Sequence, residues 1–154
     1  MCGGYFFSKL YLHLLLRNNF FMRYMKWIGL AAAILLVVSC CSPWVYIQSR
    51  NITVSGIDAT GTNFGKPGYF HFIMTAFFLF FHFVPRVWAK RANLLIVALN
   101  LGWAVRNFFV IASCQGGECP IKKLALYLVL GSSILMLLAA LFPDMKMPGE
   151  KKQN

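Results

Sequence analysis

Leu124-Ala-Leu-Tyr-Leu-Val-Leu-Gly-Ser-Ser-Ile-Leu-Met-Leu-Leu-Ala-Ala-Leu-Phe142 runs without one charged side chain. A helix needs about 20 mostly apolar residues to cross the hydrocarbon core of a bilayer, and this stretch has that length and character. Working outward, three further runs read the same way. Trp27–Ile47 is uncharged through its interior, Tyr69–Val87 contains Phe77-Phe78-Leu79-Phe80-Phe81, and Leu94–Ala112 carries one charge, Arg106. The expected fold class is therefore an all-α membrane protein. It is a bundle of four transmembrane helices over about 27–47, 69–87, 94–112 and 124–142, within one domain spanning 25–144.

Composition agrees. Across 154 residues, 59% are hydrophobic and 12% charged, about half the ~25% charge of a soluble domain. The formal charge is +11, but the basic residues flank apolar runs and do not form a patch interleaved with aromatics. That is the pattern of cytoplasmic anchors beside anionic lipid, not of a nucleic-acid surface. Lys9, Arg17, Arg23 and Lys26 precede the first span, Arg86, Lys90 and Arg91 lie between the second and third, and Lys146, Lys151 and Lys152 are in the tail. Only Arg50, Lys66, Lys122 and Lys123 fall on the other side. The positive-inside rule then places both termini in the cytoplasm.

The boundaries carry their own signals. Pro43, Trp44 and Tyr46 mark the end of the first span, with the aromatics expected at headgroup level. Pro85 and Arg86 end the second, Pro120 opens the fourth at a position where its missing N–H is harmless, and Pro143 and Asp144 close it. In the outer loop, Ile52-Thr53-Val54-Ser55 alternates like a strand and Gly56, Gly61 and Gly65 supply turns. A small β-hairpin and an irregular glycine-rich loop both fit. Asn51-Ile52-Thr53 matches a glycosylation acceptor, which matters only in a host that glycosylates. Residues 1–24 read either as an interfacial amphipathic helix or as upstream of a true start at Met22 or Met25, the late start being preferred. Residues 145–154 form a cytoplasmic tail.

Polar residues inside a membrane are functional candidates by default. Arg106 lies about 9–12 Å below the outer surface, counting back from Cys114 at 1.5 Å per residue. Its head either snorkels outward or pairs with Asp58 or Glu118, or it contacts an anion or a quinone oxygen in a cavity. Asn93, Asn100 and Asn107 recur every seven residues and form one stripe, and His71, Thr75 and His82 share a face of the second span. By depth, Asn107 is expected near Thr75 and Asn100 near His82. These groups either hydrogen-bond between helices or line a path for a proton or small solute. Asp58, Glu118, Asp144 and Glu150 all lie outside the spans, so no carboxylate serves such a path. His71 and His82 stand about 16 Å apart along one helix, too far to share a metal. No catalytic constellation, metal site or cofactor motif appears.

Cys114 and Cys119 flank Gln-Gly-Gly-Glu in the third loop and suit a disulfide, either a structural clip or a redox pair. Cys40 and Cys41 close the first span. They read as small apolar residues, or as a lipoprotein signal in which Val37-Val38-Ser39-Cys40 makes Cys40 the lipidated residue and the preceding helix is removed. The third reading is a thiol pair. With Cys114 and Cys119 it resembles the four-helix periplasmic thiol oxidases that reduce quinone, although those use Cys-x-x-Cys and these cysteines are adjacent.

Ser42-Pro43-Trp44-Val45 closing the first helix, then Ser55-Gly56-Ile57-Asp58 with Gly61-Thr62, make the chain resemble the small uncharacterised four-span inner-membrane proteins of Gram-negative bacteria. The resemblance covers most of Met25 to Asp144. It implies a four-helix bundle with a small outer cap and attaches no activity. The expectation is a non-enzymatic structural, accessory or interaction subunit. Its partners are the lipid bilayer and another membrane protein or a second copy. The alternatives are a membrane thiol–quinone oxidoreductase and a small-solute carrier lined by the Asn/His stripe.

Overall fold

The computed structural model describes residues 24–114 and 119–142. In chain order they form α1 (Tyr24–Cys41), β1 (Pro43–Ile47), β2 (Ile52–Ser55), α2 (Gly68–Phe83), α3 (Val87–Ala112), β3 (Ile121–Lys122) and α4 (Leu124–Leu141). The N-terminal segment, the tail, Glu118, Pro143 and Asp144 lie outside the described residues.

Three helices, α1, α3 and α4, are long and apolar enough to cross a membrane. The 16 residues of α2 extend about 24 Å, short of the ~30 Å hydrocarbon core. Val84 precedes Pro85 and is extended, at φ −76° and ψ 116°, as the proline ring requires of its neighbour. The 26-residue α3 begins directly after Arg86. The helix expected over 69–87 therefore ends at Phe83, and the next, expected from Leu94, starts two turns earlier. Arg86, Lys90 and Arg91 are not a loop; two of the three stand on the first turns of a helix.

Each helix turns small and polar residues inward. On α3 the buried positions are Ala89, Asn93, Val97, Asn100, Ala104, Asn107 and Ile111, alternating steps of three and four along one face. The inward face of α2 is Gly68, His71, Thr75, Phe78 and His82, and that of α4 includes Ser132, Ser133, Met136 and Ala139. Ala32, Ala33, Leu36 and Cys40 of α1 complete the core. Outside, Ile34, Phe77, Phe80, Leu95 and Phe109 are exposed. An apolar exterior around a partly polar interior suits lipid and not water. α3 packs against both α2 and α4. α1 closes the ring, since a Cβ at Gly29 would stand 3.0 Å from Ala139 and 3.3 Å from Phe78.

A three-stranded antiparallel sheet of order β2-β1-β3 caps one end. The hairpin over β1 and β2 is the β alternative weighed for this loop. Its turn holds Asn51 at φ 53°, a left-handed conformation Asn tolerates. Two expectations are corrected. The first helix stops at Cys41 and not at Ile47, because Pro43 cannot continue it, and the β-branched Val45 and Ile47 fall in β1 instead. Pro120 does not open the fourth helix; it precedes β3, and α4 begins at Leu124.

Candidate functional site

Two polar assemblies define the molecule: the ties from cap to bundle, and a file of polar side chains in the bundle core. The ties meet the ends of α1, α2 and α4 and, through Trp103, the side of α3. At the end of α1, the carbonyl of Ser39 accepts from Trp44 Nε1 at 2.9 Å and that of Cys40 accepts from Gly56 N at 3.1 Å. Helix C-termini leave such carbonyls without helical partners. Trp44 is wholly buried, so its expected place at headgroup level is corrected: the indole satisfies a helix end inside the protein. Gly68 N, opening α2, donates to Gly56 O at 2.7 Å, and Lys123 N, before α4, donates to Trp44 O at 2.8 Å. Trp103 Nε1 of α3 donates to Pro67 O at 3.0 Å. Gly56 and Gly68 approach so closely that a Cβ on Gly68 would lie 2.6 Å from Gly56 O. Outside the spans, Asp58 receives the Thr60 hydroxyl and its backbone N–H. These two bonds hold its carboxyl below the ordinary carboxylate range.

Beneath Trp44 lies His71, its ring edge-on at a centroid distance of 6.3 Å. His71 Nδ1 is 2.7 Å from Asn100 Oδ1. A carbonyl oxygen only accepts, so this nitrogen carries the proton and Nε2 is left as an acceptor. Asn100 Nδ2 donates to Ser133 Oγ at 3.4 Å, and Ser133 Oγ donates to Val129 O at 2.8 Å. The chain of bonds thus links α2, α3 and α4 at mid-bundle. His71, Thr75, Asn93 and Asn107 are buried, and His71 Nε2, Thr75 Oγ1, Asn93 Oδ1 and Asn107 Nδ2 have no hydrogen-bond partner among the described residues. From Asn93 to Asn107 the file is about 21 Å long.

The expected pairing of Asn100 with His82, and with it the depth matching of Asn107 to Thr75, is corrected by the His71–Asn100 bond. A three-residue connection, Val84–Arg86, sets the antiparallel register; assuming a longer loop had displaced it. His82 lies nearer the uncapped end, where Nε2 is 3.3 Å from Lys26 O and its own carbonyl accepts from Lys90 Nζ at 2.8 Å. Lys26, His82, Lys90 and Asn93 line a pocket there with Ala139 and Phe142. The sequence had suggested neither Ser133 nor this pocket as a site. The signal in the sequence is Ser132-Ser133 inside an apolar span, since small polar residues are usual hydrogen-bonding partners between membrane helices.

Arg106 is exposed on the side of α3, its guanidinium 4.8 Å from the Trp103 ring centroid. The structure brings it to the bundle's flank and not into the polar file. Cys114 and Cys119 lie at disulfide distance, 2.02 Å between sulfurs. Cys40 is buried and Cys41 exposed, both as free thiols. Among the described residues no cluster of three potential ligands could hold a metal ion. No family model, curated protein or solved structure matches the chain.

Proposed function

We propose that this is a four-span bacterial inner-membrane protein with cytoplasmic termini that acts as a non-enzymatic structural or accessory subunit, bound to another membrane protein or to a second copy. The observation that carries the reading is the His71–Asn100–Ser133 chain: these polar side chains join α2, α3 and α4. Neither a carboxylate nor a thiol takes part in it.

For α2 as a fourth span the support is its position. It packs antiparallel against α3 and is joined to it by three residues, so the two share one depth. Retention of α1 in the mature protein is supported by Ala33 and Leu36, both buried in the common core. Removing α1 as a lipoprotein signal would strip that core. The thiol-oxidase reading loses support because Cys40 and Cys41 point to different faces of a helix, one inward and one outward.

A specific observation favours one second reading. Four polar atoms without a partner among the described residues lie along one file, which is what a path for a small polar solute would present.

The test is the protein purified from native membranes and reconstituted in liposomes. The accessory reading expects an assembly heavier than the 17.5 kDa chain in native gels, no solute flux and no quinone-dependent dithiol oxidation. Flux abolished by Asn100→Leu would establish the carrier, and oxidation abolished by Cys40→Ser or Arg106→Ala would establish the oxidoreductase.

A further inference from the structure

The pocket at the uncapped end gathers the termini of all four helices. Lys26 comes from the first turn of α1 and His82 from the last turn of α2. Lys90 and Asn93 come from the first two turns of α3, with Ala139 and Phe142 at the end of α4. His82 holds the two lysine segments together, through Lys26 O on one side and Lys90 Nζ on the other. None of these lining residues is acidic, and the N-terminus of α3, which its cap residue Arg86 does not close with a side-chain hydrogen bond, adds the positive end of a helix dipole. Asn93 is 2% exposed, and its Oδ1 is an acceptor without a partner that asks for a donor from whatever enters the pocket. At the same end, Tyr24, Trp27 and Trp88 are exposed, as aromatics are where a membrane protein meets the headgroups.

We propose that one anionic phospholipid of the phosphatidylglycerol type seats at the mouth of this pocket, its phosphate outside between Lys26 and Lys90 and one headgroup hydroxyl, a water-sized group, reaching in to donate to Asn93 Oδ1. Basic pockets between helix ends on the cytoplasmic side are a known form of lipid recognition. The acyl chains would run along the apolar flank past Trp27. Assignment to the inner leaflet rests on the orientation proposed above; lipid retention in detergent is measured without reference to orientation, so the two readings fail separately.

The experiment is native mass spectrometry of the full chain, delipidated in detergent and then offered phosphatidylglycerol, phosphatidylcholine or inorganic phosphate. One phosphatidylglycerol is expected per chain, retained over phosphatidylcholine. Lys26→Gln is expected to weaken it about fivefold, the worth of one lysine at an anionic surface. Arg91→Gln removes an exposed cation on the same end outside the pocket and is expected to leave retention unchanged. Melting temperatures in phosphatidylcholine alone check that both variants fold. Equal retention of the two lipids, or equal losses in the Lys26 and Arg91 variants, would overturn the site. Displacement of the lipid by millimolar inorganic phosphate would overturn the lipid assignment and leave free phosphate as the occupant.

Discussion

His71 and Asn100 decide what the polar interior is. Their bond is buried on both sides, and losing one partner of a buried pair costs the desolvation of the other, about 1–3 kcal/mol. Asn100→Leu is therefore expected to lower stability by about 1–2 kcal/mol, read as a reduced melting temperature in detergent. Thr75→Val gives the opposing case. Its hydroxyl has no partner among the described residues, so an isosteric methyl is expected to leave the melting temperature level or raise it. A Thr75→Val loss as large as that of Asn100→Leu would mean that Thr75 is bonded to something inside the file, and the solute path would gain the weight the accessory reading loses. Asp58 makes the pH-dependent prediction. Its folded pKa is depressed, so its contribution is present above the ordinary carboxylate value and fades as pH falls through the folded one. The melting-temperature gap between wild type and Asp58→Asn is expected to narrow from pH 6 toward pH 3. The stripe of Asn93, Asn100 and Asn107 was legible from its seven-residue spacing. Its partner residue was not, because register depends on where a loop ends.

Helix α2 and the cap show why elements differ in legibility. The long apolar runs of α1, α3 and α4 declare themselves, since few other structures hold so many apolar residues in sequence. Pro43–Ile47 is equally apolar and follows directly on α1, so hydropathy merges strand with helix; only Pro43 separates them. The two-residue β3 has no periodicity to read. Close backbone approach is equally invisible, yet it governs the cap. At Gly56 a Cβ would stand 2.7 Å from Cys40 O and 2.8 Å from Trp44 Cζ2, whereas one at Gly102 meets nothing within 4 Å. Gly56→Ala is expected to lose well over 1 kcal/mol through displaced backbone. Gly102→Ala is expected to be neutral or stabilising, by up to about 1 kcal/mol. Paired thermal melts check both. Reducing Cys114–Cys119, which lead from α3 toward β3, is expected to cost about 2 kcal/mol by releasing a short loop, and to loosen β3 from β1. Hydrogen exchange at Ile121 and Lys122 with and without reductant checks this.

For the whole molecule, the proposed arrangement has four helices sharing one membrane, although only three are long and apolar enough to cross it on their own. The short α2 is admitted because α3 is beside it and the Val84–Arg86 connection leaves no room to depart. In the proposed arrangement the cap faces one compartment and that connection the other, with the lysines and arginines gathered on the connection's side. Site-directed labelling tests this most directly. Thr60→Cys in the cap and Arg86→Cys in the connection are exposed positions, to be probed in spheroplasts with a membrane-impermeant maleimide against the wild-type background. Cys at 60 is expected to react in intact spheroplasts and Cys at 86 only after lysis. Reaction of both from outside would contradict the proposed arrangement, because α2 would then lie on the membrane and not across it.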